Sequence, residues 1–108
     1  MTESEFNKRV DETFSRIEAA LEASGADIDC ELAAGGILEL EFENGSKIII
    51  NRQGAMQEIW VAAKSGGYHY RWQDDGWRDT REGGELFSAL GKLVSQQAGS
   101  EIVLGQSA

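Results

Sequence analysis

The sequence predicts an α+β fold: a two-layer sandwich with two helices packed on one face of a five- to six-stranded antiparallel sheet. Three observations carry this expectation. Apolar residues recur at helical spacing near both ends of the chain and at strand spacing between them. Each strand-like run has one apolar and one polar face. Such a sheet needs cover on one side only, so two amphipathic helices suffice and the other face stays in solvent.

The first helix is the clearest element. Ser4 reads as its N-cap, without a capping box, because Asn7 stands where Glu or Gln would close one. Phe6, Val10, Phe14, Ile17 and Leu21 then share one face, and Gly25 ends the pattern. At about 100° per residue, Asp11, Glu18 and Glu22 fall within roughly 40° of one another and border the apolar stripe. Glu5 and Glu12 lie further round, near Lys8, Arg9 and Arg16.

Alternating runs follow. Ile28, Cys30 and Leu32 share the inward face of the first strand, with Asp27, Asp29 and Glu31 outward. Gly35-Gly36 turns the chain. Leu38, Leu40 and Phe42 point inward in the second strand, with Glu39, Glu41 and Glu43 outward. Asn44-Gly45 is a strong two-residue hairpin signal. Ile48 and Ile50 are inward in the third strand, with Lys47, Ile49 and Asn51 outward. In the fourth, Ile59, Val61 and Ala63 are inward, with Glu58 and Trp60 outward. Gly66-Gly67 reads as another turn. Tyr68, Tyr70 and Trp72 then face one way, His69 and Arg71 the other. Asp74-Asp75-Gly76 turns into a short last strand, Trp77–Thr80. The second helix presents Leu86, Phe87, Leu90, Leu93 and Val94, and Gly99 stops it. Ile102-Val103-Leu104 should tuck against the helices.

With 108 residues the chain is one domain, 1–108, able to bury a core without staples. No apolar run is long enough for a membrane helix, and the polar N-terminal segment MTESEFNKRV is not a secretory signal. A single cysteine, Cys30, fits a reducing cytoplasm. The net charge of −9 is confined to residues 1–43, where 12 acids meet 3 bases; the remainder is balanced. This acidic half suits cations or a basic partner and argues against nucleic acid. The outward residues run from acidic (Asp29, Glu31, Glu39, Glu41) through Ile49, Asn51 and Trp60 to His69 and Arg71. A tryptophan on that polar face is either a protein-partner anchor or a partly covered sheet residue.

No phosphate loop, C-x-x-C or zinc-helix motif is present. DIDCELAAGGIL fails as a calcium loop, with Leu32 and Leu38 where Gly and Glu are required. Cys30 lies on the core register and reads as a small hydrophobe, not a nucleophile. His69, the only histidine, reads as solvated or partner-contacting rather than catalytic. Asp11, Glu18, Glu22, Asp27, Asp29 and Glu31 form a possible acidic ridge. It is either a solvated acidic face or an open, weak, permissive site for hard or borderline cations.

FENGSKIIINRQ, followed by QEIW and GGYHY, resembles the central sheet signature of bacterial frataxins, the CyaY family. The opening SEF, the acidic first helix and IDCE also match, so the resemblance runs from about Ser4 to Gln97. It implies the same helix–sheet–helix sandwich and a role in iron–sulfur cluster assembly. It implies weak binding of iron (Fe²⁺ or Fe³⁺) by Glu18, Glu22, Asp27, Asp29 and Glu31, with Asp11 in line. It also implies docking on the cysteine desulfurase and scaffold protein through Glu18, Glu22, Asn51, Gln53 and Trp60, beside His69 and Arg71. The expected molecule is a cytoplasmic binding regulator, not an enzyme, and monomeric without iron. Ala19, Ala20 and Ala23 stand where carboxylates are common in the family, which bears on iron stoichiometry. The alternative expectation is a metal-independent acidic module that modulates a basic enzyme.

Overall fold

The computed structural model describes residues 1–73 and 75–104. Its elements, in order, are α1 (Glu3–Ser24), β1 (Ile28–Ala33), β2 (Ile37–Phe42), β3 (Lys47–Gln53), β4 (Glu58–Ala63), β5 (Gly66–Gln73), β6 (Gly76–Asp79) and α2 (Leu86–Ala98). The strands form one six-stranded sheet in chain order, each antiparallel to its neighbour. Short connections force this meander, because adjacent antiparallel strands need only a tight turn between them. The expected domain span continues past Leu104, outside the described residues, and Asp74 of the expected turn also lies outside them.

α1 starts two residues earlier than Ser4 implies. Thr2 is the N-cap: its Oγ1 accepts from the Glu5 backbone N–H at 3.1 Å, and Glu5 Oε1 accepts from the Thr2 N–H at 2.8 Å. This capping box, absent from the Ser4 reading, satisfies two otherwise orphaned donors. The hydrogen bonds from Thr2 also hold the Glu5 carboxyl below its ordinary pKa. Gly25 closes the helix with φ of 71°, a left-handed conformation that a Cβ would disfavour. α2 begins at Glu85, whose carboxylate accepts from the N–H groups of Phe87 and Ser88, and ends at Gly99.

Both helices lie on the inner face of the sheet. Phe6, Val10, Phe14, Ile17 and Leu21 of α1 and Leu86, Phe87, Leu90 and Val94 of α2 are buried there. They meet Leu38, Leu40, Phe42, Ile48, Ile50, Ile59, Val61, Tyr70 and Trp77. Truncating one such leucine or isoleucine to alanine would cost about 2–5 kcal/mol. A buried polar contact crosses the layers: Trp77 Nε1 donates to Thr13 Oγ1 at 2.8 Å. Past α2, the Ser95 hydroxyl accepts from the Ile102 N–H at 2.9 Å, and Leu104 is buried against the core. Val103 is 74% exposed, so the tail tucks in through two of its three apolar residues.

Four strand expectations change. Leu32, placed on the core register, is 56% exposed, because β1 is an edge strand and its far end leaves the helix cover. Glu58, expected outward in solvent, is buried at 3% exposure. Gly66 and Gly67 open β5 instead of forming a turn. The loop at Asn44-Gly45 spans residues 43–46, wider than two residues, with Gly45 at φ 87° and the Ser46 N–H bonded to Asn44 Oδ1.

Candidate functional site

β1 places its acids by simple alternation. Cys30 packs toward the helix layer while Asp29 and Glu31 are exposed. Burial pushes the Cys30 thiol up to about 11, and the nearby charge of Glu18 adds to it. Glu18, half-buried on α1, therefore stands near the inner side of this edge strand. Glu22 on α1 and Asp27 in the connection are exposed. The edge is thus flanked by carboxylates from the helix layer on one side and from the outer sheet face on the other.

The acidic strip continues onto β2. Asp29 stands opposite Glu41, and Glu31 opposite Glu39. Like charges directly opposite on one sheet face repel. Lys47 of β3 offsets part of this repulsion: its Nζ lies 2.9 Å from Glu39 Oε1. The hydrogen bond and charge of Glu39, with the charges of Glu41 and Glu31, raise the lysine's pKa.

Asp11 sits apart from these residues. Arg52 of β3 donates to Asp11 Oδ1 at 2.6 Å, to Asn7 Oδ1 at 3.2 Å and to the Gly36 carbonyl at 3.4 Å. Asp11 is therefore half of an ion pair rather than a free member of a repelling trio. Sequence reasoning misses Arg52 as part of this site. The available signal was its alternation onto the helix-facing side of β3, where a cation needs a partner.

Among the described residues, no three His, Cys, Asp or Glu side chains converge closely enough to form a preformed metal cage. What remains is a set of exposed carboxylate oxygens. Such oxygens can hold a hard cation loosely and exchangeably, or meet a basic protein surface.

The middle of the bare face is ordered around Glu58. Asn51, Trp60 and His69 lie in one cross-strand row, and Gln53, Glu58, Arg71 and Arg78 in the next. The Trp60 indole, half-buried, stacks on the His69 ring at 4.4 Å between centroids and 11° between planes. Its Nε1 donates to Glu58 Oε1 at 2.8 Å. Arg71 Nη2 donates to Glu58 Oε2 at 2.6 Å, and His69 Nδ1 lies 3.6 Å from Oε1. Burial alone would push the Glu58 carboxyl up. The hydrogen bonds from Trp60 and Arg71 and the charges of Arg71 and His69 outweigh it, and the pKa is lowered. Sequence reasoning placed Trp60, His69 and Arg71 together on this face but missed Glu58 as the group that joins them. Asn51 and Gln53 are half-buried beside them.

A two-helix cover, a bare six-stranded face and an acidic edge define an open-faced α+β sandwich. A family model of the frataxin-like domain matches residues 1–100, and the chain belongs to that family. It is 56% identical over 104 residues to the iron-sulfur cluster assembly protein CyaY of Dechloromonas aromatica (strain RCB), covering 96% of this chain and 99% of the relative. The CyaY protein of Herminiimonas arsenicoxydans is 54% identical over 108 residues, with 96% of each chain covered. Among solved structures, the frataxin of Psychromonas ingrahamii superposes with a TM-score of 0.90 at 35% identity, over 98% of this chain and 100% of its own. Yeast frataxin superposes with a TM-score of 0.60 at 25% identity, over 86% and 76%.

Proposed function

We propose that this chain works in cytoplasmic iron–sulfur cluster assembly as a binding and regulatory protein, not as an enzyme. In this reading Glu18, Glu22, Asp27, Asp29 and Glu31 carry iron weakly as cargo, with Asp11 at the margin because Arg52 already holds it. The same carboxylates attract a basic patch on the cysteine desulfurase, while Asn51, Gln53, Trp60, His69 and Arg71 make the short-range contacts with the desulfurase–scaffold assembly. The names of the CyaY relatives support the pathway. The observation that carries the surface assignment is the edge strand β1, flanked by acids on both sides and continuous with the bare face that holds Trp60.

The division of labour follows from range. Exposed charges act over about a Debye length, ~10 Å at 0.1 M salt, so they set encounter rate and orientation. An aromatic anchor acts only on contact and sets the dissociation rate. Iron and the desulfurase would draw on the same oxygens, so each should weaken the other.

A second reading rests on a specific observation: the ridge carboxylates do not converge on one point. That favours a metal-independent acidic module laid on a basic enzyme surface. Both readings share the docking test. Binding to the cognate cysteine desulfurase is measured at low and high salt, with and without Fe²⁺. The leading reading expects binding that weakens steeply as salt rises and weakens again when Fe²⁺ is added. Salt-insensitive binding, or none, overturns the docking surface; iron-insensitive binding leaves the metal-independent module.

A further inference from the structure

We propose that Glu58 is the positioning residue of the bare sheet face: it locks the Trp60 indole flat against His69, so that the aromatic anchor is ordered before any partner arrives. The proposal rests on the reading that Trp60 contacts a partner, but its first test needs no partner.

A tryptophan side chain turns about two bonds. Two independent contacts are enough to fix both, and Trp60 has two. Its edge is held by the Nε1–H bond to Glu58 Oε1 at 2.8 Å, and its face by the parallel stack on His69 at 4.4 Å. Glu58 can act as a fixed post because its other oxygen is held by Arg71 at 2.6 Å. The side chain of Glu58 is only 4% exposed, whereas that of Arg71 is 56% exposed. The carboxylate is thus the hidden member and the guanidinium the visible one.

A carboxylate buried on an open sheet face has no packing advantage over an apolar residue there. Removing it from water is unfavourable unless its oxygens are bonded, and both are bonded here. Its burial is explained by what it organises: one indole, one guanidinium and one imidazole brought into register on three positions of β4 and β5. Ordering these groups in the free protein removes an entropic penalty that a mobile indole would meet on binding. If only a fraction of molecules held the ring in its binding pose, apparent affinity would fall by that fraction.

The test uses the full chain with Glu58→Ala and Glu58→Gln variants, and Trp60→Phe to assign the indole signal among the three tryptophans. In the free protein, NMR should show a slowly exchanging Trp60 Nε1–H and a ring-current shift on the His69 ring protons. Glu58→Ala should abolish both while the amide spectrum of the remaining sheet stays folded. Glu58→Gln keeps one acceptor, which can take the indole N–H, but turns an NH2 toward the Arg71 donor and loses that anchor, so it should restore both only in part. With the desulfurase–scaffold complex, Glu58→Ala should bind about tenfold more weakly, and Glu58→Gln should recover part of that loss.

An unchanged indole signal and ring-current shift in Glu58→Ala overturn the proposal directly. So does a lost ring stack with unchanged partner affinity, provided that Trp60→Ala does weaken binding. If Trp60→Ala leaves binding intact, it is the partner reading of this face that fails, and the free-protein spectra still decide whether Glu58 sets the ring.

Discussion

Arg52 and Asp11 join β3 to α1 through a 2.6 Å ion pair across the open end of the helix–sheet interface. The guanidinium is the less exposed partner, at 19% against 66%, and Gly36 leaves the space it occupies. A Cβ on Gly36 would stand 2.8 Å from Arg52 Nε, and its φ of 74° already disfavours a side chain. The pair therefore separates Asp11 from the acids with which it shares a helical stripe, and the two groups should respond differently to neutralisation.

Asp11→Asn is expected to lower stability by about 0.5 kcal/mol, the scale of a largely exposed ion pair. The double variant Glu18→Gln/Glu22→Gln is expected to raise the melting temperature, because it relieves repulsion at the β1 edge. Thermal unfolding of the two variants checks the split. A rise with Asp11→Asn would mean that Asp11 belongs to the repelling cluster after all.

Thr13→Val keeps the shape of a buried side chain but removes the acceptor for the Trp77 Nε1–H. The expected cost is about 1–3 kcal/mol in urea unfolding, read as a lower midpoint at constant slope. Thr13→Ser, which keeps the hydroxyl, should recover part of the loss. A Thr13→Val chain as stable as the parent would show that the indole finds another partner.

Glu58 predicts a pH dependence. Its folded pKa is lower than the ordinary value of 4.5, so its contribution is fully present above that value and is lost as pH falls through the lower, folded one. A protonated carboxyl resembles a carboxamide. The stability gap between the parent and Glu58→Gln should therefore shrink as pH drops below 4.5. Melting curves from about pH 7 to about pH 3 measure it. A gap that widens on acidification would reverse the sign of this argument.

Cys30 should be a poor nucleophile. With its thiol pushed up to about 11, roughly one molecule in 1,000 is thiolate at about pH 8. Alkylation by iodoacetamide should then be about a hundredfold slower than for a free thiol. Rapid modification of the folded chain would show that the β1 edge opens.

The strand order and the core were legible because alternation and helical spacing report directly on which side is buried. Leu38, Leu40, Ile48, Ile50, Ile59 and Val61 all lie where that rule puts them. The same rule put Trp60 on the bare face, and the indole is on that face. What alternation cannot report is lateral cover within one face. Glu58 is hidden by its neighbours Trp60, His69 and Arg71, a relationship set by β4–β5 register and not by the local pattern. Leu32 errs in the opposite sense, because its register is inward but the helices stop short of it. The Thr2–Glu5 capping box was readable as T-x-x-E, but Ser4, nearer to the first apolar residue, competed for the same role. The acids of β1 were legible as exposed. That Glu18 stands on the other side of this edge strand, near Cys30, needed the sheet order and the fold.

The most direct measurement of the proposed iron surface is an amide NMR titration of the folded chain with a diamagnetic trivalent ion in place of Fe³⁺. The account predicts fast-exchange shifts confined to the segment from Glu18 to Glu31, weak and saturating, with Asp11 little affected while Arg52 holds it. Shifts spread evenly over every acidic residue, or no shifts at all, would contradict it.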